Sequence, residues 1–230
     1  GASPARPLIW TEGRGSRATV RYPCPEARKA GITPGLPVRQ AETRLTALQK
    51  LPWGQESLRA CTQHAATLIE ALEQYSPRIG LMGLGLFSLR PPLMHGGTLG
   101  DEDEERAFME SVLRCHIFDS TYTSPRIAVA DGVITAAIAT QDEALRWRRV
   151  PLGKDASFLA RLSIERLPLD DTILSLLKEL GMTSIGQLQR LKPHTLEARF
   201  GRAGRRAWEV SWGRGGQREA VAPSAEDLQV

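Results

Sequence analysis

Arg199, Arg202, Arg205, Arg206, Arg214 and Arg218 crowd the last part of the chain, with only Glu209 and Glu219 close by. Guanidinium groups at this density suit a polyanion such as a nucleic-acid backbone, because each stays charged and can donate paired hydrogen bonds to a phosphate. The opposite charge is concentrated in DEDEE at residues 101–105. Such a run could offer oxygen ligands to a hard divalent cation, or it could begin a helix, whose positive dipole end favours carboxylates. The remaining chemical side chains are dispersed. Cys24, Cys61 and Cys115 form no C-x-x-C pair, and His64, His95, His116 and His194 are equally scattered. Neither a disulfide framework nor a zinc centre follows from that spacing, and Cys115 beside His116 fits helix packing. No metal and no cofactor is expected.

These groups must be held by elements that the patterning makes legible. The chain has 230 residues, 41% apolar and 24% charged, with a net charge of +4. That is enough for one large domain or two small ones, and no run is apolar enough to span a membrane. The opening GASPARP lacks the charged, apolar and cleavage regions of a secretory signal, so a cytoplasmic protein is expected. Residues 8–10 and 18–22 read as strands joined by the turn EGRGS; EARKA reads as a short helix and VRQAETRLTALQ as a longer one. From Ser57 to Tyr75, Leu58, Cys61, Ala65, Leu68, Ile69 and Leu72 recur at helical spacing until Pro77 stops the pattern. Strands are expected at 78–89 and 126–130, a helix from the acidic run to about Cys115, and another through GVITAAIATQDEALR. This alternation fits an α+β fold, an antiparallel sheet backed by helices.

After Lys154 the texture changes to short helices with tight joints: FLARL, DDTILSLLKEL closed by Gly181, SIGQLQRL opened by Ser184, HTLEARFG and GRRAWEVSWG. GGQREAVAPSAEDLQV reads as a linker or frayed tail.

Three segments, in order, resemble the Y-family translesion DNA polymerases. ARKAGITPGLPVRQA, at 27–41, is similar to that family's fingers entry, YSPRIGLMGLGLFSLR, at 75–90, to its palm strand, and ELGMTSIGQLQRL to part of its thumb. The resemblance covers most of residues 8–213 and implies a ferredoxin-like antiparallel palm sheet with helices, a small fingers subdomain and a helix-hairpin-helix-like thumb. It divides the chain into an N-terminal palm part at 1–22, fingers at 23–54, palm at 55–160, thumb at 161–216 and a tail at 217–230.

In that family two metal ions are held by carboxylates of two palm strands. On the family pattern the Asp-Glu pair falls on Gly85 and Leu86, the upstream Glu on Gly80 and the downstream Asp on Arg90; the strand with the first Asp should precede Pro7. The triphosphate-binding Tyr falls on Pro25, its companion Arg on Arg28 as a vestigial nucleotide contact, and the two later lysines on Val133 and Ala137. The combination most resembles the ImuB-type paralogues, which implies a chain that is not an enzyme. It implies instead a scaffold for SOS-induced, damage-tolerant DNA synthesis and mutagenesis. The partners so implied are weakly bound primer-template DNA, an error-prone C-family DNA polymerase, a RecA-like ImuA accessory protein and the sliding clamp. The clamp peptide is not found here, QLQRL at 187–191 lacking its aromatic residues. In the thumb, Gly186, Gly201 and Gly204 would let backbone N–H groups approach DNA phosphates, with Arg202, Arg205 and Arg206 adding charge. Asp170 and Asp171 stand where the family has a Gly-x-Gly turn and would repel phosphate.

Plainer readings stay open. Gly83 and Gly85 can mark close backbone approach in a strand, the arginines a solvated face, and Arg28 a pair with Glu26 or Glu42. Leu86 can fill the vacated site as core, or Leu84, Leu86 and Phe87 can form a docking face. Two other functions remain: an active translesion polymerase with ligands displaced to 101–105, and a helix-hairpin-helix DNA-binding protein unrelated to polymerases.

Overall fold

A computed structural model describes residues 7–83, 85–90, 101–115, 125–142 and 144–215. The expected tail at 217–230, Leu84, His95 and His116 lie outside the described residues. The chain divides into two compact units, residues 1–67 and 68–230.

In the first unit β1 (Leu8–Glu12) pairs antiparallel with β2 (Thr19–Pro23) and parallel with β3 (Gln49–Pro52), in the order β2-β1-β3. The helices α1 (Pro25–Lys29) and α2 (Val38–Arg44) complete it. Ile9, Val20, Ala27, Ile32, Val38 and Ala41 form its core. Cys24 is drawn into backbone bonding: its Sγ accepts from the N–H of Leu8 at 3.2 Å and of Ala27 at 3.4 Å, capping α1. The division expected at residue 22 therefore runs through a single sheet. The helix expected over 38–49 ends at Arg44, and the following Gln49–Pro52 pairs as β3, which no apolar alternation announces.

α3 (Gln55–Leu72) begins in the first unit and ends in the second. There β4 (Ile79–Gly83) and β5 (Leu86–Leu89) form an antiparallel hairpin with a bulge between Leu81 and Gly83. α4 (Glu102–Leu113), β6 (Ile127–Val129), α5 (Val133–Ala139) and β7 (Trp147–Arg149) follow. The α+β class expected from the sequence is present. Its sheets are smaller than expected, and β6 and β7 run parallel. α5 explains this, because a helix joining two strands returns the chain in the same direction. The helix expected through 132–146 stops at Ala139, which frees Trp147–Arg149 to pair with β6.

The acidic run behaves as a helix start: Asp101 Oδ1 accepts from the N–H groups of Asp103 and Glu104. Two cores serve this unit. Leu72, Ile79, Phe108 and Val112 form one, with Phe87 and Leu89 packed against it. The larger runs from Ile134 and Ile138 of α5 into α6 (Asp155–Ala160), α7 (Asp171–Glu179), α8 (Ile185–Gln189) and α9 (Pro193–Ser211). Palm-like and thumb-like helices thus share one apolar interior. Among the described residues, no helix is long and apolar enough to cross a membrane.

Candidate nucleic-acid interface

The β4–β5 hairpin is where the family pattern would place metal ligands. Its ends are tied by Ser76, whose buried Oγ lies 2.6 Å from the Arg90 carbonyl oxygen and 2.8 Å from that of Arg78. Gly85 occupies the turn with φ 72°, a left-handed conformation that glycine adopts without penalty. A Cβ at Gly83 or Gly85 would meet nothing within 4 Å. Leu86 is half-buried beside the turn, while Phe87 and Leu89 join the core under α4. Gly80 is buried in β4 and Arg90 is exposed at the end of β5. The hairpin therefore brings together neither oxygen ligands nor phosphate-binding lysines, and its residues do not fit a pair of divalent cations.

The carboxylates at 101–105 are engaged elsewhere. Glu105 and Glu102 pair with Arg149, at 2.5 and 3.7 Å, and Glu102 also pairs with Arg106 at 3.2 Å. Among the described residues, no three His, Cys, Asp or Glu side chains gather as a metal site. Arg28 is exposed on α1 and takes part in interactions of its own. Glu26, on the same turn, is held below the usual carboxylate range, chiefly by its hydrogen bond to Cys24 and then by its backbone bond.

The thumb is built differently. Ser184 and Gln187 form a capping box at α8, with Gln187 Oε1 accepting from the N–H groups of Thr183 at 2.7 Å and Ser184 at 3.1 Å. These two amides are satisfied inside the protein. Gly186 allows α8 to lie on α6, since a Cβ there would stand 2.9 Å from the Ala160 carbonyl oxygen. Gly204 is buried, and its Cβ would stand 2.3 Å from the Leu196 carbonyl oxygen. Gly201 alone is open, with φ 61° and ψ −150°; it splits α9 so that a fresh helix starts at Arg202. The two helices expected from HTLEARFG and GRRAWEVSWG are this kinked pair.

Around that start the arginines are not equivalent. Arg205 bridges Glu197 and Glu209, each at 3.2 Å, and both bonds raise its pKa further, Glu197 first. Arg202 and Arg206 are exposed and have no carboxylate partner among the described residues. Of the expected DNA contacts, Gly201, Arg202 and Arg206 share one exposed helix start, whereas Gly186, Gly204 and Arg205 serve internal packing and ion pairing. Asp170 stands at the N-cap position of α7 without a side-chain capping bond and, like Asp171, is exposed.

A buried seam holds the thumb to α5, and the sequence reading missed it. Asp155 Oδ2 accepts from Gly132 N–H at 2.8 Å and Oδ1 from Asp131 N–H at 3.3 Å. A Cβ on Gly132 would fall 2.4 Å from the Gly213 carbonyl oxygen, and one on Gly213 would fall 2.5 Å from Thr135 Oγ1. Gly132, just before α5, and Gly213, just after α9, were the available signal.

No protein-family model matches the chain. It is 29% identical over 195 residues to DNA polymerase IV of Dehalococcoides mccartyi strain CBDB1, which covers 83% of this chain and 46% of that protein. The DNA polymerase IV of strain BAV1 is 28% identical over the same length. The chain therefore spans about half the length of these curated relatives. Among solved structures, DinB from Sulfolobus solfataricus superposes with a TM-score of 0.68 at 18% identity, covering 90% of this chain and 60% of that one. A post-insertion binary complex of Dbh DNA polymerase gives 0.68 at 17%, covering 94% and 62%. The fold is that of Y-family polymerase fingers, palm and thumb. These relatives correct one expectation: the inference that the chain is not an enzyme is overturned, because the proteins it matches are DNA polymerases. That inference rested on single positions read off a family pattern, Gly80, Gly85, Leu86 and Arg90 of the hairpin with Pro25, Val133 and Ala137 elsewhere, and on a carboxylate strand expected before Pro7.

Proposed function

We propose that this chain is the DNA-holding fingers, palm and thumb portion of a DinB-like translesion synthesis protein, acting in the cytoplasm on primer-template DNA. The observation that carries the reading is the exposed helix start after Gly201, where Arg202 and Arg206 stand without carboxylate partners on a polymerase-type thumb. Backbone amides at a helix start and two guanidinium groups meet phosphates without reading bases, which suits a protein that must grip damaged DNA of any sequence. Primer extension by the whole protein takes its carboxylates from positions other than Gly85 and Leu86. In the damage response the DNA-bound body also serves as an assembly platform. Its partners there are an error-prone C-family polymerase, a RecA-like ImuA accessory protein and the sliding clamp, consistent with the ImuB-like pattern of the hairpin and α5.

Fluorescence anisotropy on a labelled primer-template across a salt series tests the grip. Binding independent of sequence and falling steeply with salt is expected, and the double variant Arg202→Ala, Arg206→Ala should flatten that slope by about 2. An unchanged slope removes these residues from the interface. Co-purification of the full-length protein with its partners from SOS-induced cells tests the assembly role, and loss of all three would end it.

A further inference from the structure

A groove of about 830 Å³ runs between the strand segment 144–151 and one face of α6. From the strand side come Leu145, Arg146 and Trp147, and from α6 and its two cap positions Phe158 with Lys154 and Arg161, at the i, i+4 and i+7 spacing that keeps them on one side. No residue of β6 lines it. The groove therefore follows the edge of β7 turned away from its partner strand.

That edge has an unused rung. Ile127 N–H donates to the Arg146 carbonyl at 3.0 Å, and Val150 N–H donates to that of Val129 at 2.8 Å. In a parallel ladder the direction of bonding alternates, so the N–H and C=O of Trp147 point out of the pair. No described group accepts or donates there. Apolar side chains beside it are left in water: Leu145 is 42% exposed and Trp147 37%.

The charges are one-sided. Among the described residues, no Asp or Glu lines the groove. Arg148 is committed to Asp142 at 2.7 Å and Arg149 to Glu105. Arg146, Lys154 and Arg161 are exposed, with no carboxylate partner among the described residues. Single-stranded nucleic acid would also seek cations, but it binds by stacking bases on open aromatic faces. Here Arg106 lies over the Trp147 ring at 5.5 Å and Arg148 over that of Phe158 at 5.7 Å. A strand edge beside a helix, with apolar pockets and a cationic rim, is the arrangement that takes an added peptide strand.

We propose that the groove between β7 and α6 docks an extended peptide segment of a protein partner, alternating apolar and acidic side chains. The segment adds a strand to β7 through the Trp147 backbone. Its apolar side chains enter between Leu145 and Phe158, and its carboxylates meet Arg146, Lys154 and Arg161. The site is separate from the exposed start at Arg202 and stands whether or not that start binds DNA.

The test uses the full chain and a fluorescein-labelled peptide of alternating Glu and Val, with a Lys-Val peptide and labelled oligo-dT as controls, read by anisotropy. The Glu-Val peptide should bind and the Lys-Val peptide should not. Arg161→Glu should weaken binding by about tenfold or more, since it sets like charges against each other at an exposed site. Trp147→Pro should abolish binding while keeping the fold, because its N–H is not used in the β6 ladder. Should that variant fail to fold, a Glu-Val peptide N-methylated at alternate residues replaces it, and undiminished binding of that peptide overturns the added strand. Equal binding of the two charged peptides, no effect of Arg161→Glu, or displacement of the Glu-Val peptide by oligo-dT at lower concentration overturns the proposal.

Discussion

Glycine does opposite work at the two ends of the second unit. In the thumb and its seam with α5, Gly132, Gly186, Gly204 and Gly213 each lie where a Cβ would come within 3.0 Å of another atom. In the β4–β5 hairpin, Gly83 and Gly85 face open space. Glycines of the first kind are fixed by packing, because interiors are close-packed and backbone atoms cannot yield. Those of the second kind are fixed by nothing in the described structure except the φ of Gly85. The hairpin, which the family pattern makes the chemical centre, is the part with room to change, and the thumb is the part without it.

The largest expected effect breaks or keeps that contrast directly. Gly204→Ala would drive a methyl into the Leu196 carbonyl and should destabilise the protein by about 3 kcal/mol or more, by thermal or urea melts. Gly83→Ala should change stability by less than about 1 kcal/mol. Equal losses would erase the distinction. Asp155→Ala comes next: it leaves the N–H groups of Asp131 and Gly132 without their acceptor in a buried seam, a loss of about 1–3 kcal/mol. Gly85→Asp should cost about 1 kcal/mol, the strain of a left-handed φ that Asp tolerates better than most residues. A loss as large as that at Gly204 would place the hairpin among the close-packed parts.

The legible portions of the sequence were those in which local chemistry and tertiary packing agree. α3 announced itself by the spacing of Leu58 to Leu72, α4 by the carboxylates at its start, and the α9 kink by Gly201 between two amphipathic runs. β3 and β7 did not. QKLP and WRR carry charged side chains and no alternation, and they are strands because a neighbouring strand offers its edge. The basic cluster was legible as charge and its ion pairing was not, since Glu197 lies eight positions before Arg205 and only the fold of α9 across Gly201 brings them together. Of the seam at Asp155 the sequence shows only its glycines and not what they face, because residues 132, 155 and 213 meet only in three dimensions.

The smallest expected effect on the fold falls on the thumb arginines, and it separates the roles that structure gives to neighbours. Arg202→Ala and Arg206→Ala remove exposed side chains without ion pairs, so each should leave the melting curve within about 0.5 kcal/mol of the parent. Each should nonetheless reduce the salt slope of DNA binding by about 1, because one phosphate contact is lost. Arg205→Ala should do the reverse. It breaks the bridges to Glu197 and Glu209 across the Gly201 kink, so stability should fall slightly, by about 0.5 kcal/mol for exposed pairs of this kind. Its guanidinium is already neutralised by two carboxylates, and removing it should hardly touch the slope. If Arg205→Ala instead flattened the slope as much as Arg202→Ala, the two glutamates would have to release it on binding. The thumb would then rearrange around Gly201 when it meets DNA, and the region with the least room to change would be the one that moves.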